Sequence, residues 1–113
     1  MKSVLVLGAG LVGKTIAIDL CKNYNVTSAD INETALAQLR NQYPIKTIAA
    51  DLSNSKTINE LVQPFDLIIG AVPGFMGFKT LKTIIEAGKN VVDISFFPED
   101  PFDLDLLAIK HNV

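Results

Sequence analysis

The sequence has little of what most reactive centres are built from, with one cysteine, Cys21, and one histidine, His111. A lone cysteine cannot close an internal disulfide, and it excludes a cysteine-based zinc cluster. Positive charge is not in excess either: ten Lys+Arg stand against twelve Asp+Glu, a formal net charge of −2. A nucleic-acid partner needs clustered cations to neutralise phosphates, so none is expected. Long apolar runs are missing as well. Those present are about five to seven residues, against the roughly twenty that span a bilayer, so no membrane segment is expected. Met1 leads almost at once into a strand-like run, so no secretory leader is expected and the cytoplasm is the expected location. What the chain does hold is apolar content, 49% of 113 residues. That far exceeds the content of a disordered chain and is enough for one core, but not for two ordinary domains.

Apolar runs alternate with helix-period segments along the whole chain. Val4-Leu5-Val6-Leu7 is continuously aliphatic, as a parallel strand buried on both faces requires. Leu11 to Lys22 reads as a helix with an inward stripe of Val12, Ile16, Leu20 and Cys21. Asn25 to Ala29 follows as a second strand, and Asn32 is placed to cap a helix that Pro44 stops. A third strand spans Ile45 to Ala50, and Ser55 is expected to cap a short helix through Val62. Asp66 to Ala71 reads as a fourth strand, and a helix from Phe75 to Ala87 ends at Gly88, a residue type favoured beyond a C-cap. Asn90 to Ile94 is the fifth strand. Asp100 and Pro101 then open a last helix with Phe102, Leu106 and Ile109 inward. Strict alternation of this kind predicts an α/β fold: one Rossmann-type, doubly wound parallel sheet of five strands, order 3-2-1-4-5, over residues 1–113. Ligands bind such sheets where the order reverses, beside strand 1.

The first strand-to-helix turn is Gly8-Ala9-Gly10-Leu11-Val12-Gly13. In that pattern the first glycine permits a tight turn and the second lets a pyrophosphate approach the backbone. The third lets the helix pack on the sheet, and the helix's free N–H groups face the phosphates. Asp30 closes strand 2 twenty residues after Gly10, where a carboxylate would accept bonds from an adenosine ribose; Ile31 follows it. By topology Asp51-Leu52 lies where an adenine would rest. Ala71-Val72-Pro73 lies where the nicotinamide half of the crevice begins. The plainer readings are a turn or helix-cap aspartate for Asp51 and a strand-end turn residue for Asp30. Because a 2′-phosphate would meet Asp30 as a like charge, and Arg40 is more than two helical turns away, NAD(H) is expected over NADP(H). The same residues also satisfy a P-loop pattern, with Lys14 and Thr15 as its phosphate and magnesium ligands. Against that stand the second glycine and Asp30, which have no role in a P-loop, and the poorly apolar strand before Asp51.

Three stretches make the chain resemble the N-terminal nucleotide-binding domain of the saccharopine dehydrogenase family. They are Val6 to Gly13, then Gly70-Ala71-Val72-Pro73-Gly74-Phe75-Met76-Gly77, then Ile85-Glu86-Ala87-Gly88-Lys89-Asn90-Val91-Val92-Asp93-Ile94-Ser95. The first is common to many dehydrogenases, whereas the second and third together are fairly specific. The resemblance implies an oxidoreductase that passes hydride between a nicotinamide and a C–N bond of an amino-acid-derived substrate. It also implies a separate substrate domain, whose residues have no positions among these 113. The expectation is a domain that binds NAD, or less readily NADP, without turning over alone, and that self-associates into a homodimer through the surface a second domain would cover.

No Ser-His-Asp arrangement or metal constellation is visible, and no catalytic residue is assigned. His111 suits a helix C-terminus, where a cation complements the dipole. Cys21 suits a small core thiol. Asp93 reads as a partnered sheet-end carboxylate or as a cleft residue. Ser95-Phe96-Phe97 and Phe75-Met76-Gly77-Phe78 read either as ligand-facing or as packing segments. A regulatory NAD-sensing module, like those attached to potassium transport systems, is the second functional reading; the turn at Ala71 to Gly74 and the Asp93-Ile94-Ser95 ending argue against it.

Overall fold

The aliphatic runs lie side by side as parallel strands, and a helix between each consecutive pair returns the chain to the same end of the sheet. The computed structural model describes residues 2–72 and 74–93. Its elements are β1 (Ser3–Leu7), α1 (Leu11–Leu20), β2 (Asn25–Asp30), α2 (Glu33–Gln42), β3 (Lys46–Ala49), α3 (Ser55–Val62), β4 (Leu67–Gly70), α4 (Gly74–Glu86) and β5 (Val91–Asp93). The strands pair in the order β3-β2-β1-β4-β5, all parallel, as the alternation predicts. The expected last helix, with Phe102, Leu106, Ile109 and His111, lies outside the described residues, as do Ile94 and Ser95-Phe96-Phe97. Among the described residues, no helix is long and apolar enough to cross a membrane.

The period-2 alternation of a strand divides the core in two. Val4 and Val6 of β1 and Val26 of β2 pack with Ala17 of α1 and with Leu36 and Leu39 of α2. Leu5, Leu7 and Ala29 point the other way, onto Ile58 and Val62 of α3 and Ile84 of α4. β1 is therefore buried on both faces, which is why its sequence is continuously aliphatic. Each fully buried Leu, Ile or Val contributes about 1.5–3 kcal/mol of transfer free energy.

Helix ends follow local chemistry. Asn32 caps α2, its side chain accepting from the Ala35 N–H at 3.1 Å. Tyr43 is forced into an extended conformation by Pro44 and ends that helix. Gly88, with φ +75°, terminates α4, and the N–H groups of Gly88 and Lys89 return to the carbonyls of Ile85 and Ile84. Two sequence expectations need correction. Asn54, not Ser55, caps α3, because its amide oxygen reaches the N–H groups of Lys56 and Thr57 at 2.9 and 3.3 Å. Val12 is not on the inward stripe of α1: the buried residues there are Gly13 and Ala17, which turns Val12 outward, 58% exposed. Cys21 does sit half-buried against the core, its thiol 3.1 Å from the Ile18 carbonyl oxygen.

Two polar features away from the crevice have consequences for stability. Ser28 of β2 is fully buried, and its hydroxyl has no hydrogen-bond partner among the described residues. A buried unpaired hydroxyl costs free energy, so Ser28→Ala should be neutral or stabilise the fold by about 1 kcal/mol in urea denaturation. A loss of stability of that size would contradict the assignment. At the opposite end of the sheet from the glycine turn, Asp66 Oδ2 accepts from the Ser3 N–H at 2.9 Å and the Ser3 hydroxyl at 3.1 Å. These bonds hold the Asp66 carboxyl below its ordinary value of 3.8. A depressed folded-state pKa stabilises above the unfolded value and is lost as pH falls through the folded one. The advantage of wild type over Asp66→Asn, present at pH 7, should therefore narrow in unfolding curves taken below about pH 3.8. A gap that stays constant with pH would argue against this latch.

Candidate functional site

The chain leaves β1 at Leu7 and reaches the first turn of α1 at Leu11, so three residues make the whole connection. Gly8 adopts φ +106°, and a Cβ on it would sit 2.5 Å from the Ala71 carbonyl oxygen at the end of β4. A Cβ on Gly13 would overlap the Gly8 carbonyl oxygen and press the Ala71 methyl at 3.3 Å. These two glycines are demanded by packing. Gly10 differs, since a Cβ there would meet nothing within 4 Å and would project into open space. Gly10 is also the N-cap of α1 (φ −70°, ψ −172°) and brings no side chain to the helix end. No acidic residue occupies the first turn. The first N–H groups of α1 thus lack intrahelical acceptors and face the space that Gly10 leaves free, with the positive end of the helix dipole behind them.

Beside this turn, β2 ends at Asp30. Its carboxylate is half-buried and spans two backbone donors: Oδ2 accepts from the Ala9 N–H at 2.6 Å and Oδ1 from the Asn32 N–H at 2.9 Å. A carboxylate offers about four lone-pair sites, so roughly two remain for other donors. Gly8, Gly10, Leu11, Val12, Gly13, Asp30, Ala71 and Val72 together line one crevice of about 320 Å³. It lies at the C-terminal ends of β1, β2 and β4, where the strand order reverses. Larger hollows exist elsewhere, about 550 Å³ between α3 and α4 and about 420 Å³ near Ser3, Thr27, Lys46 and Phe65. Neither combines a glycine-lined backbone with an uncapped helix end. A diphosphate on the N–H groups of α1 and a vicinal diol on Asp30 fit the crevice as built.

The remaining expected residues divide. Ile31 stands 72% exposed next to Asp30, and Leu11 and Val12 form an exposed apolar lip, Leu11 at 83%. Asp51 is in a turn, with Oδ1 accepting from the Ser53 N–H at 3.0 Å and the Ser53 hydroxyl at 2.6 Å. Those bonds lower its carboxyl pKa. The turn reading of Asp51 therefore describes its geometry, and it does not line the crevice. Leu52 is buried among Ile58, Val62 and Ile68, with its side chain in the core. Pro73 lies outside the described residues, and Asp93 ends β5 opposite Gly70.

The P-loop alternative meets a geometric obstacle. The Lys14 N–H already donates to the Gly10 carbonyl at 2.8 Å, so helix has replaced the loop three residues before a P-loop would release it. The Thr15 hydroxyl donates to the Leu11 carbonyl at 2.8 Å instead of facing a metal. Among the described residues, no group of three or more His, Cys, Asp or Glu could hold a metal ion. Sequence reasoning chose Ala9 and Asp30 separately but missed the bond between them, which only the meeting of β2 with the glycine turn creates.

The glycines should therefore separate by function. Gly8→Ala and Gly13→Ala are expected to destabilise the fold by about 2–3 kcal/mol through strain and overlap. Gly10→Ala should cost about 1 kcal/mol or less, as at an N-cap. Equal losses at all three positions in urea denaturation would contradict this division.

Comparison with known proteins bears on the fold and the family. The chain is similar in structure to apo saccharopine dehydrogenase (L-Glu forming) from Saccharomyces cerevisiae, with a TM-score of 0.85 and 23% identity, over 98% of this chain and 25% of that one. The PbgP3 protein from Burkholderia pseudomallei matches with a TM-score of 0.65 and 18% identity, over 81% of this chain and 34% of that one. Pen from Bacillus thuringiensis gives a TM-score of 0.65 and 18% identity, over 81% of this chain and 36% of that one. These likenesses establish the fold, and the chain spans about a quarter to a third of their lengths. The family profile of the saccharopine dehydrogenase NADP binding domain matches residues 4–111, and the chain belongs to that family.

Proposed function

We propose that this chain is the cofactor-holding part of a saccharopine dehydrogenase-like oxidoreductase and that it prefers NAD(H). The observation that carries the reading is the open space at Gly10, bounded by the uncapped N-terminus of α1 on one side and by Asp30 on the other. In this reading the N–H groups of Leu11, Val12 and Gly13 receive the pyrophosphate, as dinucleotides are held in doubly wound sheets. Asp30 accepts the hydroxyls of the adenosine ribose. Ile31, which is exposed, borders the adenine side, and the backbone at Asp51 and Leu52 closes it. Ala71 and Val72 lead to the nicotinamide half, and the lip of Leu11 and Val12 shields the ligand from water.

When bound, the dinucleotide supplies a hydride donor or acceptor. The substrate in this reading is an amino-acid-derived compound whose C–N bond is oxidised or formed. It is held by residues outside this chain, so the chain binds cofactor without turnover. The preference for NAD(H) rests on charge. A 2′-phosphate would approach the Asp30 carboxylate, whereas Arg40 is committed to Glu33 at 3.0 Å and to Thr47 at 2.8 Å. A phosphate beside a carboxylate is repelled as a like charge, and Arg40, already paired, does not offset it.

Fluorescence titration of the chain with NADH and NADPH tests the reading. NADH should bind at least about tenfold more tightly, the value of roughly 1.4 kcal/mol of like-charge repulsion. NADPH binding as tight as NADH would overturn the preference, and no binding of either would overturn the assignment of the crevice.

A further inference from the structure

The Asp30 carboxylate is already bound twice before any ligand arrives, and one of its donors belongs to the glycine turn. The Ala9 N–H lies 2.6 Å from Oδ2, while Asn32, which caps α2, gives its N–H to Oδ1 at 2.9 Å. Gly8 is tied to the same strand, its N–H donating to the Ala29 carbonyl at 2.8 Å. Two consecutive residues of the turn thus hang from the end of β2, one through backbone and one through a side chain. Ala9 is itself buried, so its N–H has little water to turn to if the carboxylate is lost. Gly10, the next residue, supplies both the open space and the cap position of α1. The direction in which the first N–H groups of α1 point therefore depends on where Ala9 is held.

We infer that Asp30 is a positioning residue for the diphosphate as well as an acceptor for the ribose: its bond to the Ala9 N–H fixes the glycine turn in the shape that receives phosphate. The inference rests on the proposed dinucleotide site and adds to it a coupling between the two halves of the ligand. A carboxylate can keep both backbone bonds and still accept hydroxyls, because two oxygens provide about four acceptor sites. An amide cannot. Asp30→Asn has a single acceptor oxygen, so either Ala9 or Asn32 must face an NH₂ group. The substitution should disturb the turn even where no ribose hydroxyl is present to be recognised.

A ligand cycle distinguishes the two roles. ADP carries the adenosine ribose and a diphosphate, and 2′,3′-dideoxyadenosine 5′-diphosphate carries the same diphosphate without the hydroxyls. Isothermal titration of wild type and Asp30→Asn with both ligands gives four affinities. The inference requires Asp30→Asn to weaken the dideoxy ligand by about tenfold, the consequence of one misdirected charge-assisted hydrogen bond in the turn. It also requires a larger loss for ADP. If the dideoxy ligand binds wild type and Asp30→Asn equally, Asp30 reads only ribose and the inference is overturned.

Amide hydrogen exchange on ligand-free wild type keeps the test independent of the variant's folding. The Ala9 amide proton should exchange at least about tenfold more slowly than an unbonded turn amide, and exchange at the unprotected rate would overturn the clamp. Failure of wild type to bind either nucleotide would instead overturn the dinucleotide reading. Ala9 protection would then still decide whether the clamp exists.

Discussion

Three stretches of backbone meet where β1 ends, α1 begins and β4 ends, and they meet with no room for a β-carbon. Gly8 lies against the Ala71 carbonyl, and Gly13 lies against the Gly8 carbonyl and the Ala71 methyl. This contact sets how deeply α1 seats on the sheet. With Ala17 completing the approach one turn later, the helix packs through its smallest residues. Its N-terminus consequently arrives at the C-terminal edge of β1 with its donors facing outward, and the connection needs only three residues. A larger residue at either position would push the helix away and open the turn.

The rest of the site follows from that seating. The Ala71 N–H bonds to the Leu7 carbonyl and the Gly8 N–H to the Ala29 carbonyl, so the turn is held from both neighbouring strands. Asp30 then lies within reach of Ala9, and one carboxylate touches both the turn and the cap of α2. What remains open is the space beside Gly10. Two glycines shape the backbone and the third leaves the cavity, which is why a motif of similar residues carries unequal duties.

Much of this was legible in the sequence because both parts depend on short-range chemistry. Parallel strands buried on both faces must be aliphatic throughout, so β1 and β4 read directly, and strict alternation with helices gave the strand order. The glycine spacing and the position of Asp30 marked the crevice. What the sequence does not show has a local cause in each case. Val12 has the apolarity of a core residue, but its place in the turn sends it to the lip, where apolarity reads the same way in one dimension. Leu52 lies beside Asp51 in sequence, yet the chain turns at Ser53 and puts the two side chains in different environments. Asn54 outcompetes Ser55 because its amide reaches two N–H groups. The Ala9–Asp30 bond joins residues 21 apart and leaves no periodic or compositional trace.

In the proposed function the crevice beside the glycine turn, and not the larger hollow between α3 and α4, receives the dinucleotide. Backbone amide chemical shifts of ¹⁵N-labelled protein titrated with NAD⁺ test it most directly. Saturable shifts are expected at Gly8 to Gly13, Asp30, Ile31, Ala71 and Val72, with Ser55, Lys56 and Lys82 unmoved. Shifts concentrated at Ser55, Lys56 and Lys82, with the glycine turn silent, would contradict it.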